Sequence, residues 1–311
     1  MQVAVLIPCF NEASTIAKVV DDFTAQLPDA AIYVYDNNSS DDTASIAAQH
    51  GAIVRRERRQ GKGFVVRSMF RDIDADVYVL VDGDDTYPAD AVHDLIEAVQ
   101  TGQADMAVGD RLSGGVYARQ NKRAFHGFGN RLVRWSINAV FHSSFADVMS
   151  GYRAFSRRFV KNMPVSSPGF EIETEMTLHA LDRRCLITEI PVAYRDRPAG
   201  SVSKLNTCAD GFRVLATILR ILKDYRPLAF FGGASLLFFA LGLAVGIPVV
   251  IEYAETGLVP RFPSAILAAG LELMAAISLV CGLILDTITR HFKEVYELLA
   301  ARREDQGPGP S

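Results

Sequence analysis

Two stretches near the C-terminal end constrain this chain more than any other feature. Leu228–Val250 runs 23 residues without a charge, and Ala265–Leu285 runs 21 residues with Glu272 as its single charge. As helices, both are long enough to cross a hydrocarbon layer of ~30 Å. Soluble core helices of this length carry a polar face, and neither stretch has one. They predict two transmembrane helices within a hairpin spanning residues 227–288, with any soluble domain confined to the residues before it. Arg220, Lys223 and Arg226 precede the first span, Arg290, His291 and Lys293 follow the second, and the loop between holds Glu252, Glu255 and Arg261. This asymmetry of basic residues predicts a cytoplasmic N-terminal domain and a cytoplasmic tail over 289–311. From Arg302 the tail combines charges with Gly-Pro repeats and reads as irregular. Gly232, Gly233, Gly242 and Gly246 predict close helix packing. Glu272 is expected either to hydrogen-bond a neighbouring helix or protomer, or to serve a function of its own. Just before the first span, Phe212, Leu215, Ile218, Leu219 and Leu222 recur at helical spacing among Arg213, Arg220 and Lys223. Residues 206–226 therefore read as an amphipathic helix on the membrane surface, against the alternative of an ordinary core-facing helix.

Residues 1–111 alternate between two patterns. Val3–Pro8, Ile32–Asp36, Ala52–Val54, Val77–Val81 and Met106–Gly109 are short apolar runs rich in β-branched residues, which predict strands. Helical patterns over 14–26, 41–49, 62–73 and 89–101 lie between them. Ser39-Ser-Asp-Asp reads as an N-cap cluster for the second helix, and Pro88 as the first-turn residue of the fourth. The repetition predicts an α/β fold with a mostly parallel sheet covered on both faces. Further along, 121–141 and 170–183 read as helices, 151–156 and 186–194 as strands, and 196–206 as an exposed, mobile loop. The first residues, QVAVLIP, read as a strand and not as a secretory signal. The net charge of −4 offers no basic surplus for nucleic acid, and four scattered cysteines without a CxxC predict neither a disulfide framework nor a zinc site.

Ligands of parallel α/β sheets bind at the carboxyl ends of the strands. Those ends deliver Asn11 and Glu12, Asp36, then Asp82-Gly-Asp-Asp, then Asp110 and Arg111. Three carboxylates within four positions at the end of "VLVDGDDTYP" repel one another unless a cation joins them. Asp82 and Asp84 can approach one hard divalent ion, Mg2+ or Mn2+, which takes oxygen ligands and often bridges to phosphates. Asp85 reads as a cap for the helix that Pro88 opens. An EF-hand is excluded, because its sixth and twelfth positions would be Tyr87 and His93. No Walker A motif, strand-linked GxGxxG or GxSxG elbow occurs.

The ordered set "IPCFNEASTI", "VYDNNSSDDT", "GKG" and "VLVDGDDTYP" resembles the family 2 glycosyltransferases, which have the nucleotide-sugar-binding, Rossmann-like GT-A fold. The likeness covers residues 1–205. "DVMSGYRAFSR", "GFEIETEM" and "YRDRPAGSVSKL", followed by an interface helix and two spans, resemble the polyprenyl-phosphate branch, with its dolichol-phosphate mannose synthases and bacterial undecaprenyl-phosphate sugar transferases. The resemblance implies that Pro8, Asn11, Glu12 and Asp36 line the nucleoside pocket, with Asp82 and Asp84 holding metal and diphosphate. Lys62 either neutralises phosphate or is a solvated lysine at a helix start. Asp147 stands at the family's proposed base position, and Glu171, Glu173 and Glu175 compete for that role. Dolichol-phosphate mannose synthases often place a metal-binding glutamine where this chain has Thr86. A lipid phosphate would be met by Arg119, Arg123, Arg131, Arg197, Ser203 and Lys204, guanidinium forks suiting phosphate.

The implied activity is inverting transfer of one sugar, a hexose or N-acetylhexosamine from a UDP-sugar, to undecaprenyl or another polyprenyl phosphate. The product would supply cell-envelope glycans, with a separate flippase and a downstream glycosyltransferase as partners and a homo-oligomer, a tetramer among the possibilities. Two alternatives remain: a family 2 enzyme with another lipid or glycan acceptor, and a non-catalytic membrane scaffold that binds nucleotide sugars. Processive synthases carry a QxxRW motif, and Arg134-Trp135 lacks the glutamine.

Overall fold

The computed structural model describes residues 1–112, 124–169, 171–195 and 218–305. The chain divides into two compact units, Met1–Asp210 and Gly211–Ser311.

The first unit is built on β1 (Val3–Cys9), β2 (Ala31–Asp36), β3 (Ile53–Arg56), β4 (Val77–Leu80), β5 (Met106–Asp110), β6 (Arg153–Ser156) and β7 (Ile187–Pro191). They form one sheet in the order β3-β2-β1-β4-β6-β5-β7. All pairings are parallel except those of β6, which runs antiparallel to both β4 and β5. The mostly parallel sheet is as expected; the insertion of a late strand between β4 and β5 is not visible in the alternating pattern. Its consequence is geometric. Parallel strands bring Cys9 opposite Asp36 and carry β4 out to the same edge. Because β6 is reversed, its first residue, Arg153, lies opposite Leu80 and Val108, so the loop before β6 reaches that edge too.

Helices α1 (Ile16–Gln26), α2 (Thr43–Gln49), α3 (Lys62–Asp72) and α4 (Val92–Gln100) connect the first five strands. A 3-10 turn, Ala89–Ala91, precedes α4. All four residues of β4 are buried, as the uninterrupted VYVL run requires of a strand covered on both faces. Alternate residues feed different layers. Val5, Ile7, Val77 and Val79 join Val19, Val20, Phe23, Leu95 and Ile96 in one core cluster. Tyr78 instead meets Phe70 of α3, which in turn packs edge-on against Phe155. Full burial of each such side chain contributes about 1.5–3 kcal/mol. Beyond β5 come α5 (Ala124–Phe141), α6 (Arg157–Asn162) and α7 (Ile172–Asp182).

Arg153 is the largest side chain buried without exposure. Its Nε donates to the Ser150 carbonyl at 2.8 Å, Nη2 to the Val148 carbonyl at 2.7 Å and Nη1 to Thr177 Oγ1 at 2.9 Å. Burial pulls its pKa down to about 10 against the opposing charges of Glu173 and Asp147, so it remains a cation. The loop 148–150 is thus folded around a guanidinium.

In the second unit residues 218–225 are helical, with Ile221 buried and Leu219 exposed. The rest of the expected amphipathic helix, including Phe212 and Leu215, lies outside the described residues. Helix α8 (Pro227–Thr256) opens with Pro at its first turn and ends at Gly257, whose φ of 70° and N–H bond to the Tyr253 carbonyl close a left-handed cap. Helix α9 (Phe262–Asp305) follows after five residues. Both are apolar over membrane length and expose Leu236, Val250, Leu273 and Val280, so they could cross a membrane. Gly246 faces the Ala268 methyl, and a Cβ on Gly242 would stand 2.5 Å from Glu272 Oε1. At Gly232 and Gly233 the chain's own described residues place nothing within 4 Å of a Cβ. The tail expected to be irregular from Arg302 is helical through Asp305, because α9 continues past the apolar stretch.

Arg153→Met would keep the volume but remove the guanidinium donors from the Ser150 and Val148 carbonyls and from Thr177 Oγ1. The expected loss is about 3 kcal/mol, a fall of roughly 6–12 °C in the unfolding midpoint, read by thermal unfolding of the detergent-solubilised chain.

Candidate active site

The acidic edge begins where β4 ends. Val81 N–H donates to the Leu6 carbonyl and extends the pairing by one residue, after which the chain leaves the sheet. Gly83 fits because a Cβ there would lie 2.7 Å from Cys9 Sγ, and its carbonyl accepts the Thr15 hydroxyl at 2.7 Å. The glycine in DGD therefore lets the turn sit directly on β1, with one carboxylate on either side.

These two carboxylates have different surroundings. Asp84 is buried, and its Oδ1 accepts both the Thr86 hydroxyl at 2.6 Å and the Thr86 N–H at 3.3 Å. Thr86, itself buried, thus orients Asp84. Asp82 is more open, with its side chain 28% exposed. Its Oδ1 accepts from Lys62 Nζ at 2.5 Å, and a Cβ on Gly151 would come within 2.3 Å of its Oδ2. Tyr87 fixes that glycine by accepting the Gly151 N–H at 3.1 Å.

Asp85 does not cap the following helix. It adopts a left-handed φ of 56° and pairs with Lys18 at 2.7 Å and Arg195 at 3.4 Å. Arg195 N–H also donates to the Thr86 carbonyl, so the chain leaving β7 is tied to the acidic turn. Pro88 holds the cap position in extended conformation, with no side-chain cap bond.

Lys62 is not solvated. Only 7% of its side chain is exposed, and its ammonium lies between Asp82 and Glu173. Burial alone would lower its pKa, but the charges of those two carboxylates outweigh it and hold the group protonated. The flanking glycines are required by packing. Cβ atoms on Gly61 and Gly63 would fall 2.1 and 1.8 Å from the carbonyl oxygens of Pro168 and Ser167. Glu175 holds that facing loop by accepting the N–H groups of Ser166 and Ser167, each at 2.8 Å.

Asn37 and Glu57, which sequence reasoning missed, brace the segment leading to Lys62. Asn37 donates to the carbonyls of Glu57 and Arg59 and accepts the Gly61 N–H at 2.7 Å. Hydrogen bonds from the Arg59 guanidinium, helped by Ser68 against the effect of burial, lower the Glu57 carboxyl to about 2. Nearby, Asn11 takes a left-handed φ of 55° and exchanges hydrogen bonds with Ser39 and Ser40. Glu12 N–H donates to Thr43 Oγ1, and Ala13 N–H to Asp41. Thus Ser39, Asp41 and Thr43 lace two strand-end loops together; Asp42 holds the α2 cap position without a side-chain bond. Buried Asp36 accepts the Ser39 N–H, while Pro8 is partly buried in β1.

Asp147 is buried and held by Arg111 in a two-pronged ion pair, Nε to Oδ2 at 2.7 Å and Nη2 to Oδ1 at 3.0 Å. The guanidinium stands 5.4 Å from the Tyr194 ring centroid and 5.9 Å from that of Tyr87. Glu189 fixes the same loop by accepting the N–H groups of Ala146 and Asp147. Arg131 is an exposed residue of α5. Arg119, Arg123, Arg197, Ser203 and Lys204 lie outside the described residues. Among the described residues no three His, Cys, Asp or Glu groups form a closed metal cage. The pair Asp82 and Asp84 offers oxygen donors from one short turn, which fits a hard divalent ion completed by phosphate and water.

The architecture matches solved structures. Glucosyl-3-phosphoglycerate synthase from Mycobacterium tuberculosis in complex with UDP superposes with a TM-score of 0.58 at 22% identity, covering 70% of this chain and 79% of that one, which defines a GT-A type of fold. Glycosyltransferase AglJ of Haloferax volcanii is 32% identical over 94% of this chain and 95% of its own length. The dolichyl-phosphate hexose transferase of the same organism is 28% identical over 72% and 95%. Residues 4–163, more than half of the chain, match Glycosyl transferase family 2, and the chain belongs to that family.

Gly151→Ala would press a methyl group onto the Asp82 carboxylate, which can swing aside without unfolding the sheet. Sugar transfer should fall by about 10²-fold, as expected for a reacting group displaced by ~1 Å, with little change in the unfolding midpoint. Parallel turnover and thermal-unfolding measurements check this.

Proposed function

We propose that this chain transfers a single hexose or N-acetylhexosamine from a UDP-sugar to undecaprenyl phosphate or another polyprenyl phosphate at the cytoplasmic face of a membrane. The observation that carries the proposal is the presence, in one family 2 chain, of the Asp82–Asp84 turn and two membrane-length apolar helices. The dolichyl-phosphate hexose transferase relative supports a polyprenyl-phosphate acceptor. Residues 1–205 would carry the chemistry, 206–226 the membrane surface contact and 227–288 the anchor, with 289–311 as a cytoplasmic tail. The lipid-linked sugar would feed cell-envelope glycans through a flippase and a second glycosyltransferase. A homo-oligomer is part of the proposal.

Pro8, Asn11, Glu12 and Asp36 would receive the nucleoside at the edge where β1 and β2 end. Asp82 and Asp84 would hold Mg2+ or Mn2+, which supplies positive charge to the departing diphosphate. An acceptor phosphate oxygen attacks the anomeric carbon in line. The bond from that carbon to the diphosphate oxygen breaks, and the configuration inverts. A phosphate monoester has its second pKa near ~6, so the nucleophile is already an anion at neutral pH. Asp147 then needs to remove no proton. Its two-pronged hold on Arg111 suits it to keep that cation in place. Arg131, with Arg119, Arg123, Arg197, Ser203 and Lys204, would receive the lipid phosphate.

A panel of radiolabelled nucleotide sugars incubated with the full chain, undecaprenyl phosphate and Mn2+ or Mg2+ tests this. A metal-dependent, solvent-extractable lipid product is expected with at least one donor. Asp84→Ala should lower its formation by about 10²–10³-fold or more while the chain stays folded. Near-normal turnover in that variant would overturn the metal assignment. Nucleotide binding without product from any donor would favour a non-catalytic scaffold.

A further inference from the structure

Glu173 is 6% exposed, and its carboxylate contacts the same Lys62 ammonium that Asp82 holds. The three glutamates of "EIETE" separate by environment. Glu171 is exposed, Glu175 binds the backbone of Ser166 and Ser167, and Glu173 alone of the three faces the acidic turn through the lysine. We propose that Glu173 is a positioning residue that retains the Lys62 ammonium, so that Asp82 can exchange this ammonium for a divalent cation. The inference rests on the metal reading of Asp82 and Asp84 given above.

Three features carry it. First, Lys62 occupies Asp82 Oδ1, one of the oxygens a metal would take. Second, Lys62 cannot withdraw with its backbone. Gly61 and Gly63 are seated on the carbonyls of Pro168 and Ser167, and Gly63 N–H bonds to the Pro168 oxygen at 3.1 Å. When Asp82 turns to a metal, the ammonium must find its counter-charge where it stands. Third, that counter-charge is present. A buried ammonium stripped of its carboxylate is strongly disfavoured, whereas one with a second carboxylate in contact can release the first. Glu173 supplies that second carboxylate with its side chain 8% exposed. Asp82, the more exposed of the two, is the one free to turn. Glu173 thus lowers the cost of releasing Asp82 from the ammonium.

Mn2+ alone, titrated into the detergent-solubilised full chain and followed by electron paramagnetic resonance, tests this without turnover. Lys62→Gln should tighten Mn2+ binding by about tenfold and Glu173→Gln weaken it by about tenfold, the scale of one partly screened charge interaction. Glu173→Asp, which keeps the charge at shorter reach, should fall between Glu173→Gln and the wild type, and remains informative should Lys62→Gln fold poorly. The double variant should bind as Lys62→Gln does, since Glu173 acts through the lysine. Equal affinities in wild type and variants would overturn this inference alone. So would a Glu173→Gln effect that persists in the Lys62→Gln background, because Glu173 would then act on the cation directly. A wild-type chain that binds no Mn2+ would overturn the metal reading as well.

Discussion

The buried ammonium of Lys62, caught between Asp82 and Glu173, is the interaction on which the rest of the active edge depends. It joins three elements far apart in sequence: the start of α3, the end of β4 and the first turn of α7. An ion pair this far from solvent forms only if each partner is delivered accurately, since a misplaced one leaves a charge uncompensated. Packing meets that demand. Two glycines let α3 begin against the 167–168 backbone, Asn37 and Glu57 hold the approach to Lys62, and Glu175 stiffens the facing loop. Much of the polar structure in this region therefore serves the placement of one cation.

The antiparallel strand β6 is the second device. Had the chain continued as a simple parallel sheet, the loop before β6 would lie at the opposite edge. Reversal brings Asp147, Ser150 and Gly151 beside β4, where Gly151 meets Asp82 and Tyr87 holds Gly151. Arg153, at the first position of β6, then fills the space under the loop and satisfies its carbonyls. A guanidinium is suited to this because its donors are fixed in a plane and reach several acceptors at once.

The strands and helices of residues 1–111 were legible because period and punctuation agree there. Asp82 and Asp84 stood out because three acids follow an apolar run. What remained hidden was pairing across distance. Nothing local distinguishes Glu173 from Glu171 and Glu175, which alternate along "EIETE"; only α7's seat in the fold buries one of them. Asp85 was misread as a cap because capping is a local habit of aspartate, whereas its left-handed backbone turns the side chain toward Lys18 and Arg195. The Ser39–Asp42 cluster does more than cap: Asp41 accepts the N–H of Thr43 at the start of α2 at 3.1 Å, while Ser39 and Asp41 also reach across to the β1–α1 loop. In the membrane-length helices, glycines did not reveal their own facing: Gly242 and Gly246 meet residues of α9, while Gly232 and Gly233 in the same helix meet none of the chain's described residues.

The contrast between Asp82 and Asp84 gives the turn its working asymmetry. Asp84 is buried and is oriented by the hydroxyl and N–H of Thr86, two neutral donors from within the same turn. Asp82 is more exposed and is held by a cation, which cancels its charge until something stronger arrives. One carboxylate is thus fixed and the other exchangeable. A hydroxyl at position 86 suits the fixed role, since it points its proton at Asp84 from within the same turn. An amide there would reach further and could serve as a ligand. The departure at Thr86 from the better-known pattern therefore reads as a shift in how the second carboxylate is held, with Asp82 left as the oxygen donor that must change partners.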